Sequence, residues 1–216
     1  MTKNFDEVWK NEELALGQNS AVRKELDDIS GNNPKPHYSW KSLTEALSST
    51  VPGDDVQLLD FGCGCGYMVE VLNTLLPNKF NYTGADFSKN MLQIARKAYP
   101  NTKYLELDIR KIDLPDLSYE AVLSSAVLLH VPDWKTGVKE LCRISKKHLI
   151  LHKTPLAKDN HIAYVEKSYG GTEILFQRFN LNEIYELTLA AGFKNIYKKK
   201  TNNNSNNFNY TLIFER

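Results

Sequence analysis

The chain has 216 residues, the usual length of one domain, and 42% of them are hydrophobic, which is enough to bury a sizeable core. Its 27 basic and 26 acidic side chains leave a net charge of +1, which argues against a broad electrostatic footprint for nucleic acid or for a membrane surface. No apolar run approaches the roughly 20 residues that span a bilayer, and the N-terminus lacks the apolar core of a signal peptide. Three cysteines exclude a disulfide scaffold and indicate a reducing, cytoplasmic location.

The first fifty residues are predicted to be helical. A first apolar face ends at Gly17, and Ser20 is a candidate N-cap for a second helix that ends near Gly31. The segment Pro34–Pro36 marks a turn, because proline restricts both itself and the residue before it. Ser39 is then a candidate N-cap for a third helix.

From residue 56 onward, short apolar runs alternate with amphipathic segments. Strands are predicted, in chain order, at 56–61, 82–86, 103–108, 121–125 and 148–152. Helices are predicted to begin at Tyr67, Ser88, Asp133 and Asn180. Two final strands, 193–200 and 208–214, have no helix between them, so we expect them to pair antiparallel around an Asn-rich loop at 202–207.

This alternation predicts an α/β fold with a doubly wound, mostly parallel seven-stranded sheet and helices on both faces. The last two strands are expected to be an antiparallel pair. Residues 1–50 are expected to form a helical N-terminal cap on a core of residues 51–216, one domain in total. In such sheets, ligands bind beyond the carboxyl ends of the strands.

The strongest local signal is the glycine-rich run Gly62-Cys63-Gly64-Cys65-Gly66, which follows an apolar strand and opens a helix. Glycine at alternate positions lets the main chain turn sharply and lets a ligand lie directly against it. Asp86 ends the next strand, 20 residues after Gly66, where a carboxylate can accept both hydroxyls of a ribose. A tight connection that binds no ligand is the alternative.

Four segments between residues 56 and 155 together resemble the motifs of class I S-adenosylmethionine-dependent methyltransferases. They occur in the family's order at Asp60–Gly66, Gly84–Leu92, Asp108-Ile109 and Ser124–Trp134. The resemblance implies S-adenosylmethionine as the cofactor, and the terminal strand pair is similar to that of the family's fold.

The resemblance also implies a cofactor-binding set. Gly62, Gly64 and Gly66 would line the methionine and ribose part of the cofactor, and Asp60 would lie near the methionine ammonium. Asp86 would bind the ribose hydroxyls, and Ser125 and Ala126 would lie beside the methionine end. The adenine would be contacted by Phe87, Met91, Asp108 and Ile109. As alternatives, Asp86 is an ordinary surface acid, Asp108 is a turn or helix-cap acid, and Met91 is a core residue.

A dinucleotide is the competing ligand. Its fingerprint, Gly-x-Gly-x-x-Gly, places the third glycine one residue later, where this chain has Tyr67. Asp60 ahead of the loop would repel a pyrophosphate and attract an ammonium. Both observations favour S-adenosylmethionine.

The methyl acceptor is expected beyond the fourth and fifth strands. His130 is the first candidate for a general base or for positioning the acceptor, and packing beneath the following turn is its alternative. His152, at the end of the fifth strand, is the second catalytic candidate. The stretch 153–179 is predicted to be irregular, as either an acceptor lid or an ordered surface loop. Trp40 either covers the sulfonium with its aromatic face or belongs to the core.

The predicted function is methyl transfer to a small-molecule acceptor. Two other classes stay open: a catalytically inactive S-adenosylmethionine-binding regulatory subunit, and an RNA or protein methyltransferase. The near-zero net charge argues against a nucleic-acid acceptor. Cys63 and Cys65 lack the second ligand pair of a zinc site, so no metal is expected. The sequence does not indicate an oligomeric state.

Overall fold

The computed structural model of the chain describes residues 6–27, 37–168, 171–201 and 208–216. The helices of this part are α1 (Asp6–Trp9), α2 (Glu12–Asp27), α3 (Tyr38–Thr50), α4 (Met68–Leu75), α5 (Lys89–Ala98), α6 (Trp134–Ile144), α7 (Leu181–Ala190) and a 3-10 helix at Leu128–His130. Its strands are β1 (Val56–Phe61), β2 (Phe80–Asp86), β3 (Lys103–Glu106), β4 (Tyr119–Ser125), β5 (Ser145–Pro155), β6 (Ile162–Ser168), β7 (Thr172–Arg178), β8 (Lys194–Lys200) and β9 (Asn209–Glu215).

The main sheet has seven strands in the order β3-β2-β1-β4-β5-β9-β8. The first five strands of the sheet pair in parallel, whereas β9 runs antiparallel to both β5 and β8. This confirms the predicted fold class and the antiparallel terminal pair. In the register, Phe61 lies beside Ala85 of β2 and Ser124 of β4. The carboxyl ends of β1, β2 and β4 therefore meet at one edge of the sheet.

The two faces of the sheet bury separate hydrophobic clusters. Leu58 and Leu59 are adjacent in β1 and both are fully buried, but they point to opposite faces because side chains alternate along a strand. Leu58 belongs to a cluster that includes Trp40 of α3, and Leu59 belongs to a cluster that includes Trp134 of α6. Burial on both faces explains why β1 is an unbroken apolar run. Within the described residues, no helix combines the length and the apolarity needed to cross a membrane.

The N-terminal helices differ from the prediction in their boundaries. α2 continues through Gly17 and Ser20, so the predicted helix end and the predicted N-cap are both wrong. Leu14, in the first half of α2, is buried in a cluster with Met91, and this packing outweighs the weak helix propensity of glycine. His37, rather than Ser39, caps α3. The predicted helix end near residue 31 and the Pro-containing turn at 34–36 lie outside the described residues.

The stretch 153–179, predicted to be irregular, contains a β-hairpin. β6 and β7 pair antiparallel from Ile162–Arg178 to Ser168–Thr172 and form a separate two-stranded sheet. In β7, Leu175 and Gln177 are buried on one face and Ile174 is buried on the other, whereas β6 is largely exposed. The hairpin has little apolar alternation in its outer strand, which explains why the sequence pattern did not reveal it. The predicted Asn-rich loop at 202–207 lies outside the described residues.

Candidate functional site

A cavity of about 270 Å³ opens at the carboxyl edge of the sheet. The wall includes residues that follow β1, β2, β3 and β4, one residue of β5, and side chains from α1, α2 and α3. Ten predicted site residues line it: Gly62, Gly64, Asp86, Phe87, Met91, Asp108, Ile109, Ser125, Ala126 and His130. Asp60, Gly66 and His152 are not among the lining residues.

The glycine loop requires residues without a side chain. Gly62 has a φ of +79°, and a Cβ built there would lie 2.1 Å from Cγ2 of Val127. Gly66 has a φ of +80° and faces away from the cavity, where a Cβ would lie 2.4 Å from the hydroxyl of Tyr104. Gly62 and Gly64 therefore present bare main chain to the cavity, while Gly66 allows the loop to pack on β3.

Asp86 is held in the wall by hydrogen bonds from the main chain. The amide of Gly64 donates to its Oδ2 at 2.9 Å, and the amide of Ser88 donates to its Oδ1 at 2.9 Å. Burial raises the pKa of Asp86, and these backbone hydrogen bonds oppose that rise. Each carboxylate oxygen has two lone pairs, so both retain capacity for a further donor such as a ribose hydroxyl.

Asp108 is joined to Arg110 by a bidentate ion pair. Nε and the main-chain amide of Arg110 each donate to Oδ1 at 2.9 Å, and Nη2 donates to Oδ2 at 2.6 Å. The Arg110 hydrogen bond lowers the pKa of Asp108, so this carboxylate is ionised at neutral pH.

Asp60 lies behind the glycine loop, not in the cavity wall. It is 2% exposed, and the hydroxyl of Tyr82 donates to its Oδ2 at 2.6 Å. Burial raises the pKa of Asp60 to about 7, although the Tyr82 hydrogen bond opposes this. In this structure the carboxyl group therefore braces β1 against β2.

Three described side chains of the wall carry buried polar atoms without a hydrogen-bond partner in this part of the chain: Oε1 of Gln18, Nε1 of Trp40 and Oγ of Ser125. Unpaired polar atoms are costly in an interior, so their position in a cavity wall fits a polar ligand. The oxygens of Gln18 and Ser125 can accept hydrogen bonds from an ammonium, and Nε1 of Trp40 can donate to a carboxylate, so the three atoms suit the two charged groups of an amino acid. Trp40 also belongs to the core, which confirms one of its two interpretations, whereas a position over the sulfonium stays a prediction.

Gln18 is a wall residue that the sequence pattern did not single out. Its Oε1 lies 3.0 Å from the position that a Cβ on Gly64 would take, so it closes the cavity above the glycine loop. A helix ending at Gly17 places Gln18 in a turn, whereas the continuous α2 directs it inward. The unbroken spacing of Leu14, Gln18 and Val22 along one helix face was the signal that could have found it.

His130 ends the 3-10 helix and lies between two aromatic rings. Its ring centroid is 4.6 Å from that of Trp9 and 5.0 Å from that of Phe176. Nδ1 lies 2.8 Å from the carbonyl oxygen of Leu175 and, facing an acceptor, carries the proton. Burial lowers the pKa of His130 to about 4, so the ring is neutral at pH 7 with its lone pair on Nε2.

His152 is fully buried between β5 and β9 and is outside the cavity wall. Its Nδ1 lies 2.9 Å from the hydroxyl oxygen of Thr211, and burial lowers its pKa well below the usual value. Cys63 and Cys65 are also buried, and burial raises the pKa of both thiols. No group of three His, Cys, Asp or Glu side chains suited to a metal occurs in the described part of the chain.

The sheet order and the cavity at its switch between β1 and β4 define a class I methyltransferase fold. Residues 59–151 match the family model described as a methyltransferase domain. This segment, which contains the glycine loop and Asp86, is similar to class I S-adenosylmethionine-dependent methyltransferases.

Two relatives are similar to this chain in sequence. The demethylmenaquinone methyltransferase of Bacillus licheniformis is 31% identical over 143 residues, which cover 64% of this chain and 61% of that protein. The ubiquinone/menaquinone biosynthesis C-methyltransferase UbiE of Desulfotalea psychrophila is 27% identical over 228 residues, covering 91% and 92% of the two chains. This chain therefore spans less than two thirds of the first relative and most of the second.

A solved structure shares the fold at lower identity. The 1,6-didemethyltoxoflavin-N1-methyltransferase of Burkholderia thailandensis, with bound 1,6-didemethyltoxoflavin and S-adenosylhomocysteine, superposes with a TM-score of 0.63. The match covers 100% of this chain and 91% of that one at 14% identity. At this identity the likeness establishes the fold.

Proposed function

We propose that this chain transfers a methyl group from S-adenosylmethionine to a small-molecule acceptor. The observation that carries the proposal is Asp86, a buried carboxylate oriented by the amides of Gly64 and Ser88 with acceptor capacity left on both oxygens. A ribose with two adjacent hydroxyls suits this arrangement. The names of the relatives, which include a quinone and a toxoflavin precursor, support a small acceptor.

The cavity wall divides into groups that suit each part of the donor. Asp86 would hold the ribose, and Asp108 with Phe87, Met91 and Ile109 would surround the adenine. Gly62, Gly64, Ser125 and Ala126 would lie along the methionine part. The unpaired atoms of Gln18 and Trp40 would take its ammonium and carboxylate. Asp60 would act on the ammonium only from behind the loop.

When bound, S-adenosylmethionine supplies an electrophilic methyl group on a positively charged sulfur. The wall must hold the acceptor in line with that methyl group and exclude water, an effect of about 7–11 kcal/mol in well-oriented systems. His130 would take a proton from the acceptor on Nε2, because Nδ1 is committed to Leu175. Leu175 belongs to the β6–β7 hairpin, so the hairpin would fix the orientation of the base.

The helices α1–α3 form the proposed cap of a single catalytic domain whose core begins near residue 51. Trp9 of α1 and Gln18 of α2 both line the cavity, so this cap would cover the donor. The free cysteines fit a cytoplasmic setting for the enzyme.

Calorimetric titration with S-adenosylmethionine and S-adenosylhomocysteine tests the proposal. The wild type should bind both, and Asp86→Ala should weaken both by about tenfold or more, equal to about 1.4 kcal/mol. Asp86→Asn keeps the size of the side chain and removes its charge, so it tests the same contact if the alanine variant folds poorly. Asp54→Asn is the matched control, since Asp54 is exposed and lies outside the cavity.

No heat with either nucleoside, or unchanged affinity in both Asp86 variants, would contradict the proposal. Tight binding without turnover across a broad panel of small acceptors would instead favour a regulatory subunit. Turnover with RNA or protein, and with no small acceptor, would favour an RNA or protein methyltransferase.

A further inference from the structure

The turn that carries His130 is a short 3-10 helix. The amide of His130 donates to the carbonyl oxygen of Val127 at 2.9 Å, and the amide of Val131 donates to that of Leu128 at 3.1 Å. Hydrogen-bond geometry in a 3-10 helix is poorer than in an α-helix, so such a turn does not by itself fix the direction of its side chains. The orientation of His130 therefore depends on what holds the turn from outside.

Gln177 of β7 joins the two ends of this turn. Its side chain is 3% exposed, and its Nε2 donates to the carbonyl oxygens of Leu128 at 3.3 Å and Val131 at 2.7 Å. Its Oε1 lies 3.0 Å from Nε2 of His161 and accepts from it. The reverse amide orientation would place Oε1 against two carbonyl oxygens, which repel it. The buried amide is therefore hydrogen-bonded through both its nitrogen and its oxygen.

The same strand also holds the ring of His130. Leu175 and Gln177 are two residues apart in β7, so their buried side chains lie on one face of the strand. The carbonyl oxygen of Leu175 lies 2.8 Å from Nδ1 of His130, and Phe176 packs edge-on against the imidazole. One extended backbone thus carries a group that binds the main chain of the turn and a group that binds the ring.

A buried amide is costly unless its polar groups are paired, and an apolar side chain such as methionine would fill similar space without that cost. A fully paired amide instead specifies one arrangement of the groups that it joins. Here Gln177 sets the position of the turn relative to Leu175. The hydrogen bond made by one nitrogen of a histidine decides which nitrogen carries the proton.

We propose that Gln177 is a positioning residue for His130. It fixes the turn on β7, so that Nδ1 keeps its hydrogen bond to Leu175 and Nε2 stays the basic nitrogen. This inference rests on the proposed function, because it takes His130 as the base that receives a proton from the methyl acceptor. In the described part of the chain, Gln177 is not among the residues that line the cavity, so it acts through the turn.

The tautomer of His130 is a readout that needs no acceptor. Protein with ¹⁵N in its five histidine rings is studied at about pH 7, free and saturated with S-adenosylhomocysteine, by NMR spectra that correlate ring nitrogens with ring protons. His130→Asn identifies the His130 signals by their loss. We expect the wild-type ring to carry its proton on Nδ1.

Two variants remove the donor of Gln177. Gln177→Met keeps the length without polar groups, and Gln177→Glu keeps the shape but places a carboxylate against the two carbonyl oxygens. In both, we expect the His130 proton to be shared between Nδ1 and Nε2. His161→Phe is the matched control, because it keeps an aromatic ring beside Trp134 and removes only the hydrogen bond to Oε1. It should leave the tautomer as in the wild type.

Turnover with an accepted substrate is the second readout. Gln177→Met should lower kcat by about 10²-fold, because a displaced catalytic group loses its alignment, and should leave S-adenosylhomocysteine affinity unchanged. Added to His130→Asn, the same substitution should cause no further loss, because its effect passes through that ring. A hairpin that only stabilises the fold would lower turnover equally in both backgrounds.

Three results would overturn the role of Gln177. They are an unchanged His130 tautomer in both Gln177 variants, a tautomer that changes equally in His161→Phe, and an equal loss of turnover with and without His130. A wild type that binds no S-adenosylhomocysteine would refute the proposed function instead. The tautomer is also read in the free protein, so the two failures are distinguishable.

Discussion

The buried carboxyl group of Asp60 should make the stability of the fold depend on pH. Its folded pKa is about 7, against 3.8 in the unfolded chain, so the folded state binds a proton more tightly. Its contribution to stability is therefore complete below about pH 4 and is lost as the pH rises to about 7. For Asp60→Asn, which stays neutral, we expect this loss to disappear.

Urea unfolding of both proteins from about pH 4 to about pH 8 measures the effect. The free energy of unfolding of the wild type, relative to Asp60→Asn, should fall by up to about 4 kcal/mol over this range. Asp54→Asn serves as the control and should follow the wild type, because that side chain is exposed. Parallel profiles for the wild type and Asp60→Asn would show that Asp60 is ionised in the folded state throughout.

His130 allows its two nitrogens to be tested separately. Asn places an N–H near the position of Nδ1, so His130→Asn should keep the hydrogen bond to Leu175 and lose the base. We expect unchanged affinity for S-adenosylhomocysteine and a turnover lower by about 10²–10⁴-fold with an accepted substrate. A variant with nearly normal turnover would show that His130 only packs between Trp9 and Phe176.

The sequence was informative about single residues where the chemistry depends on spacing along the chain. The glycine loop follows β1 and Asp86 ends β2, with only α4 between the two strands, so their meeting at the carboxyl edge of the sheet was predictable. Asp60 also belongs to a motif, but its contact with Tyr82 depends on the pairing register of β1 and β2. Lys153 lines the cavity but was not singled out from the sequence, which gives no sign of the register shift in β5 between Leu151 and Thr154.

Among the elements, α2 continues through Gly17, where the sequence predicts a helix end, so a substitution of this glycine tests whether the helix is continuous. A Cβ on Gly17 would have nothing within 4 Å, and Gly17 lies inside the helix. Gly17→Ala should therefore raise the free energy of unfolding by about 0.5–1 kcal/mol, because alanine loses less backbone entropy. Thermal or urea unfolding would measure this.

Gly53 is the matched control for Gly17. A Cβ on Gly53 would also meet open space, but the φ of this residue is +84°, which is unfavourable for alanine. Gly53→Ala should therefore lower stability by about 1 kcal/mol. If Gly17→Ala also lowered stability, the helix would be broken at Gly17 in solution, as its sequence first indicates.

The β6–β7 hairpin is the element that the sequence pattern could not predict. Part of its support comes from outside its own strands: Nε2 of Gln177 donates to the carbonyl oxygen of Val131 at 2.7 Å, and His161 packs on Trp134. Such contacts join residues that are far apart along the chain, so the local hydrophobic pattern cannot predict them. The helices and strands of the core were predictable because each buries a regular apolar face.

At the scale of the whole molecule, the cavity exists only when the sheet and the N-terminal helices are assembled. Its wall joins Trp9 and Gln18 of the first helices to residues that follow four strands and to Lys153 in a fifth. An unfolded chain would have no such site, so a nucleoside that fits it should stabilise the folded state by mass action. This coupling gives a prediction that needs no acceptor.

S-adenosylhomocysteine at a hundred times its Kd should add about 2.7 kcal/mol to the free energy of unfolding, which corresponds to about 5–10 °C in Tm for a chain of this size. Thermal unfolding followed by circular dichroism measures the shift. Homocysteine at the same concentration lacks the nucleoside and should leave Tm unchanged, and Asp86→Asn should show a smaller shift than the wild type. An equal shift with homocysteine, or none with S-adenosylhomocysteine, would mean that the ribose contact at Asp86 does not contribute to binding.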